Sequence, residues 1–178
     1  MSNRYSTELD PFNGAFIVIY SSKMRFLEEE WGFVKHVCPG RYGSLLLYTK
    51  GQSLIKFHFE LRDNQVYWDL QQVDTTLPDV FPPEAIPEAF RYIQDPLFEL
   101  FLSIPYREER QSFFSKSERR QLEQLRELAI VQRDVGAARA VLEREAEFHA
   151  YLLRKYQPQI LQVVESMNAG IGETYEEP

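Results

Sequence analysis

The chain has one cysteine, Cys38, in 178 residues. An internal disulfide is therefore excluded, and a reducing compartment fits. Long apolar runs are also missing. The longest early one, Ala15 to Tyr20, falls far short of the ~20 residues that a helical membrane span needs. The opening stretch, Met1 to Glu8, is polar and has no apolar segment of the secretory type. A cytoplasmic location is the expectation.

Ligand and nucleophile patterns are sparse as well. His36 and Cys38 place two soft donors on one strand face, but the only other histidines are His58 and His149. A zinc site needs about four ligands, so no metal is expected. Ser44 and Ser53 sit in no G-x-S-x-G context. Gly170-Ile171-Gly172 follows no strand, as a phosphate-binding loop must. Glu143, Glu145, Glu147 and His149 lack the Glu-x-x-His spacing of a di-iron bundle, because Ala146 stands three residues before His149, and are expected on a solvated helix face. A basic stripe is absent too. Arg119, Arg120, Arg126 and Arg133 are matched by Glu118, Glu123, Glu127 and Asp134, in a chain of net charge −7. Direct binding to nucleic acid or to an anionic membrane is not expected. No cofactor and no catalytic centre are expected either.

What is present suits a packed core: 44% of residues are apolar and 14% aromatic. The pattern predicts an α+β fold, with an N-terminal helix on a four-stranded antiparallel meander, then short helices and a C-terminal pair of long helices. It divides into an α+β domain over 1–105, a long helical hairpin or extension over 106–168, and an acidic tail over 169–178. Asp10 can cap the first helix and Pro11 suits its first position. Phe12, Ala15, Phe16, Ile19, Tyr20, Met24, Leu27 and Trp31 follow at helical spacing, and Gly32 can close the helix. Ile17-Val18-Ile19 argues mildly for a strand instead, with a shorter helix capped at Ser21-Ser22.

After Gly32 the period shifts to two. Strands are expected near Phe33–Cys38, Ser44–Thr49, Ser53–Leu61 and Gln65–Gln71. A two-residue turn at Asp63-Asn64 would set Leu61 opposite Val66, Phe59 opposite Trp68 and Phe57 opposite Leu70, all on one apolar face. The other face would then pair Glu60 with Tyr67, His58 with Asp69 and Lys56 with Gln71. His58 with Asp69 has the form of the last two members of a catalytic triad, without a nucleophile in view. Proline punctuates Leu77–Pro105 and leaves short helices at Pro87–Gln94 and Pro96–Ser103. Beyond Tyr106 a run capped at Ser115 or Ser117 reaches Val135, where Gly136 breaks or bends it. A second run continues to Tyr156, and Pro158 interrupts before the last. Eleven basic and nine acidic residues alternate between Tyr106 and Tyr156, as on an exposed helical hairpin with many ion pairs.

Charge placement carries the functional expectation. Between Phe57 and Pro105 nine acids face two bases, so that stretch holds the whole net charge of −7. Glu60, Asp69 and Asp74 lie near Tyr67, with Asp79 and Phe81 close in sequence. Rings among acids supply contact area and steering for a basic protein partner. These six residues are the expected partner-binding set.

Three stretches also carry a resemblance: Phe26-Leu27-Glu28-Glu29-Glu30-Trp31-Gly32-Phe33, Tyr42-Gly43-Ser44-Leu45-Leu46-Leu47-Tyr48, and Ile55 through Val66. Their order resembles small bacterial immunity-type α+β proteins, which neutralise a cognate toxin, often a nuclease. The resemblance implies a non-catalytic protein-binding module and specifies no functional residue. Two other readings remain open. One is a structural or adaptor protein that forms a homodimer through the C-terminal helices. The other is an enzyme that uses His58 and Asp69.

Overall fold

The computed structural model describes residues 9–40, 42–72 and 104–169. Helix α1 spans Pro11–Lys23, with Asp10 Oδ1 accepting from the Phe12 N–H at 2.9 Å. The expected single helix through Trp31 is corrected here. The chain turns at Met24, and a short helix α2 follows at Phe26–Glu29. The bend returns Phe26, Leu27 and Trp31 to the core that holds Phe12, Phe16 and Tyr20. Burying those three side chains outweighs the backbone hydrogen bonds that a continuous helix would add. Gly32 then leaves α2 at φ +72°, a conformation that favours glycine.

Four strands follow: β1 (Val34–Pro39), β2 (Gly43–Lys50), β3 (Ser53–Glu60) and β4 (Gln65–Gln72). They form the expected antiparallel meander in the order β1-β2-β3-β4. Pro39, which lacks an N–H, ends edge strand β1, where its missing donor is tolerated.

The last hairpin differs from expectation in register. Glu60 pairs with Gln65, so the turn is the four-residue loop Leu61-Arg62-Asp63-Asn64 and not a two-residue turn at Asp63-Asn64. Asn64 takes the positive φ of +46°. Every partner moves by two: Phe59 faces Val66, Phe57 faces Trp68, His58 faces Tyr67 and Lys56 faces Asp69. Leu61 leaves the ladder. A two-residue slip preserves parity, so the apolar set keeps its face while all the pairs change.

Among the described residues, three longer helices and one short one follow: α3 (Tyr106–Phe113), α4 (Lys116–Gln132), α5 (Val135–Lys155) and α6 (Gln157–Ala169). Ser115 caps α4 in a reciprocal capping box with Glu118. The break between α4 and α5 falls at left-handed Arg133 and at Asp134, which caps α5 by accepting from the Ala137 N–H at 2.9 Å. Gly136 therefore lies inside α5. Helix α5 packs along α1, and its Ala138, Leu142, Ala146 and Leu153 join Phe16, Tyr20, Leu46, Tyr48, Ile55, Phe57 and Phe59 in one core. The Phe16 and Phe59 rings stack at 5.3 Å. A second cluster, Phe114, Leu122, Val141, Phe148 and Leu152, joins α4 to α5.

The alternating charges expected on a solvated hairpin instead link separate elements. Arg133 pairs with Asp10 at 2.8 Å, Lys23 with Glu147 at 3.0 Å and Arg154 with Glu30 at 2.8 Å. No helix among the described residues is long and apolar enough to cross a membrane. The short helices expected at Pro87–Gln94 and Pro96–Ser103, and residues 170–178 of the tail, lie outside the described residues.

Candidate functional site

Of the six expected partner-binding residues, three are described: Glu60, Tyr67 and Asp69. Asp74, Asp79 and Phe81 lie outside the described residues. Glu60, His58, Tyr67 and Asp69 share the sheet face opposite α1, as alternation requires. Tyr67 is 46% exposed on the edge strand, and Glu60 is half-buried at the end of β3. Asp69 does not partner His58. Its Oδ2 takes the Lys56 ammonium at 3.1 Å, because the shifted register sets those two directly opposite. Burial raises the Asp69 carboxyl above its ordinary value against the opposing pull of Lys56, and burial lowers His58 against Glu60 and Asp69. The dyad expected from the two-residue turn is corrected to a His58–Tyr67 cross-strand pair.

Glu60 also lines a groove of about 390 Å³ with Tyr42, Leu61, Arg62, Ile130 and Arg133. The backbone holds this rim, since the Leu61 N–H donates to the Tyr42 carbonyl at 3.1 Å. Tyr42 is 76% and Ile130 43% exposed. The groove thus joins an aromatic ring, aliphatic surface, one carboxylate and the guanidinium groups of Arg62 and Arg133 at the end of the sheet where α4 stops.

His36 and Cys38 are both buried in β1. The His36 Nε2 lies 3.0 Å from Thr49 Oγ1, and burial pushes the Cys38 thiol up to about 11. Among the described residues no group of three or more His, Cys, Asp or Glu side chains could hold a metal ion.

The solvated helix face expected for Glu143, Glu145, Glu147 and His149 is corrected on α5, which buries Glu145 and His149. Glu145, 6% exposed, receives Arg110 at 2.6 and 2.5 Å and Arg126 at 3.0 Å. Burial alone would raise its carboxyl. The paired guanidinium of Arg110, with His149 and Arg126, overcomes this and holds it below its ordinary value. One turn on, fully buried His149 lies between two hydroxyls, with Nδ1 3.0 Å from Tyr20 Oη and Nε2 3.2 Å from Tyr106 Oη. Burial lowers this imidazole to about 4, against the pull of Glu145. In the neutral ring one nitrogen donates and the other accepts, so the two tyrosines play opposite roles. In front of Glu145 opens a cleft of about 230 Å³ lined by Gln65, Tyr106, Arg110, Arg119, Glu123 and Arg126, among others.

The signal for this network was present. Glu145 and His149 fall in the same helical stripe as Ala138, Leu142, Leu152 and Leu153, so both had to be buried and paired. Family models, curated proteins and solved structures were all compared with this chain, and none of the three comparisons gave a match.

Proposed function

We propose that the chain is a non-catalytic protein-binding module, an immunity-like inhibitor of a basic bacterial toxin acting in the cytoplasm. The observation that supports this most is the exposed surface running from Tyr67 through Glu60 to the Tyr42–Ile130 groove. Rings and aliphatic side chains there offer area that a partner can desolvate, and Glu60 offers charge to orient a basic one. A net charge of −7 speeds the encounter with a cationic partner and makes its rate sensitive to salt.

The test is co-expression with the basic effector toxins of the same genome. Growth should be restored, and the purified pair should associate with a rate that falls steeply as salt rises. The double variant Tyr42→Ala, Tyr67→Ala should weaken binding by about 2 kcal/mol or more, because exposed aromatic anchors dominate such interfaces. Failure to protect against any of these toxins, with no salt-dependent association, overturns the reading.

Self-association through α4 is a second reading. Leu128 and Val131, three residues apart, are 37% and 72% exposed. Light scattering across a concentration series decides it, and a Val131→Glu variant should abolish any dimer seen.

A further inference from the structure

We propose that the cleft between α3, α4 and the start of β4 is a binding site for a compact oxyanion, a carboxylate or phosphate group on a small molecule, held by Arg119 and Arg126. This site is separate from the protein-binding surface and does not depend on that reading.

Two independent observations converge on it. The first is charge. Arg110, Arg119 and Arg126 line the cleft with Glu123 and Glu145. Glu145 is already committed to Arg110 and Arg126. Arg119 spends one nitrogen, Nη1, on the carbonyls of Gln111 and Phe114, each at 3.0 Å, and has no acidic partner among the described residues. Its other two nitrogens make no hydrogen bond among the described residues. The cleft is thus a cationic spot on an acidic protein.

The second observation is an unmet donor. Arg126 Nε is shielded from solvent and makes no hydrogen bond among the described residues. A buried donor without an acceptor costs stability. A ligand oxygen that enters the cleft would relieve that cost after a small turn of the guanidinium. The arginine fork matches the two oxygens of a carboxylate or phosphate edge.

Architecture supports the same assignment. Arg110 and Arg126 are fixed on separate helices by one buried carboxylate, so the wall of the site is set before any ligand arrives. The Tyr106 hydroxyl, 3.2 Å from His149 Nε2, stands in the lining as a further polar group for a ligand. A volume of about 230 Å³ lies below the usual range for drug-sized ligands. The occupant is therefore of dicarboxylate or small organic phosphate size, not a nucleotide.

The experiment titrates the full chain with succinate and with inorganic phosphate, each against chloride at matched ionic strength. Calorimetry and the arginine side-chain N–H resonances are the readouts. Saturable binding of either anion, with shifts at Arg119 and Arg126, is expected, and whichever anion binds more tightly names the class. Arg119→Gln should lower affinity about tenfold, and Arg119→Lys should retain part of it. Glu123→Gln removes a repelling charge from the wall and should tighten binding severalfold. This variant keeps every arginine, so it tests the site even if Arg119→Gln perturbs folding. Shifts that track ionic strength alone, equal for all three anions and unchanged by Glu123→Gln, overturn the proposal.

Discussion

Two buried ionisable side chains on α5 make the stability of this protein depend on pH. His149 is neutral in the fold, with its imidazole lowered to about 4, whereas the unfolded chain takes up a proton near the ordinary histidine value of about 6.5. Its contribution is fully present above about 6.5 and is lost as pH falls toward about 4. A gap of roughly 2.5 units corresponds to about 3 kcal/mol. Urea unfolding between pH 7.5 and 4 should show that loss, and His149→Gln should flatten the slope. Glu145 acts in the same direction in a lower window. Its carboxyl is held below the ordinary value, so its contribution is present above that value and is lost as pH falls further. Glu145→Gln at neutral pH removes the partner of both Arg110 and Arg126. A loss of about 3 kcal/mol in chemical unfolding is expected, since a half-removed buried pair leaves charge uncompensated.

At the scale of elements, caps and turns decide where helices and strands stop. Ser115 and Glu118 satisfy each other's backbone N–H at the start of α4. Ser115→Ala should cost about 1 kcal/mol in thermal unfolding. The β3–β4 loop depends on Asn64 at φ +46°. Asn64→Gly should be close to neutral, and Asn64→Val should cost about 1 kcal/mol or more, because a β-branched residue resists that conformation. Element types were legible in the sequence here, as was the Asp10 cap, whereas for α4 the choice of Ser115 over Ser117 came from the structure. Loop length was not. Asp63-Asn64 looks like a two-residue turn, but Leu61 and Arg62 also leave the ladder, and nothing in the alternation distinguishes registers of equal parity.

At the scale of the whole molecule, the C-terminal helices are part of the main core. Helix α5 supplies Ala138, Leu142, Ala146 and Leu153 beneath the aromatic layer of the sheet, and Asn168 at the end of α6 accepts from the Gln52 N–H at 2.8 Å. A chain truncated before Tyr106 would leave Phe16, Tyr20 and Phe57 without their cover on that side. Such a fragment should show no cooperative unfolding by circular dichroism and should bind a hydrophobic dye.

By itself, the amino-acid order determined which stretches are helix or strand and which face of each is apolar. These properties repeat every two or 3.6 residues and depend on neighbours close in the chain. Tertiary structure alone decided the bend after Lys23, the two-residue shift that gave Asp69 to Lys56, and the meeting of Arg110, Arg126 and Glu145 around one cleft. Those outcomes depend on which distant surfaces bury most area together and which charges then need a partner. No local period encodes that competition.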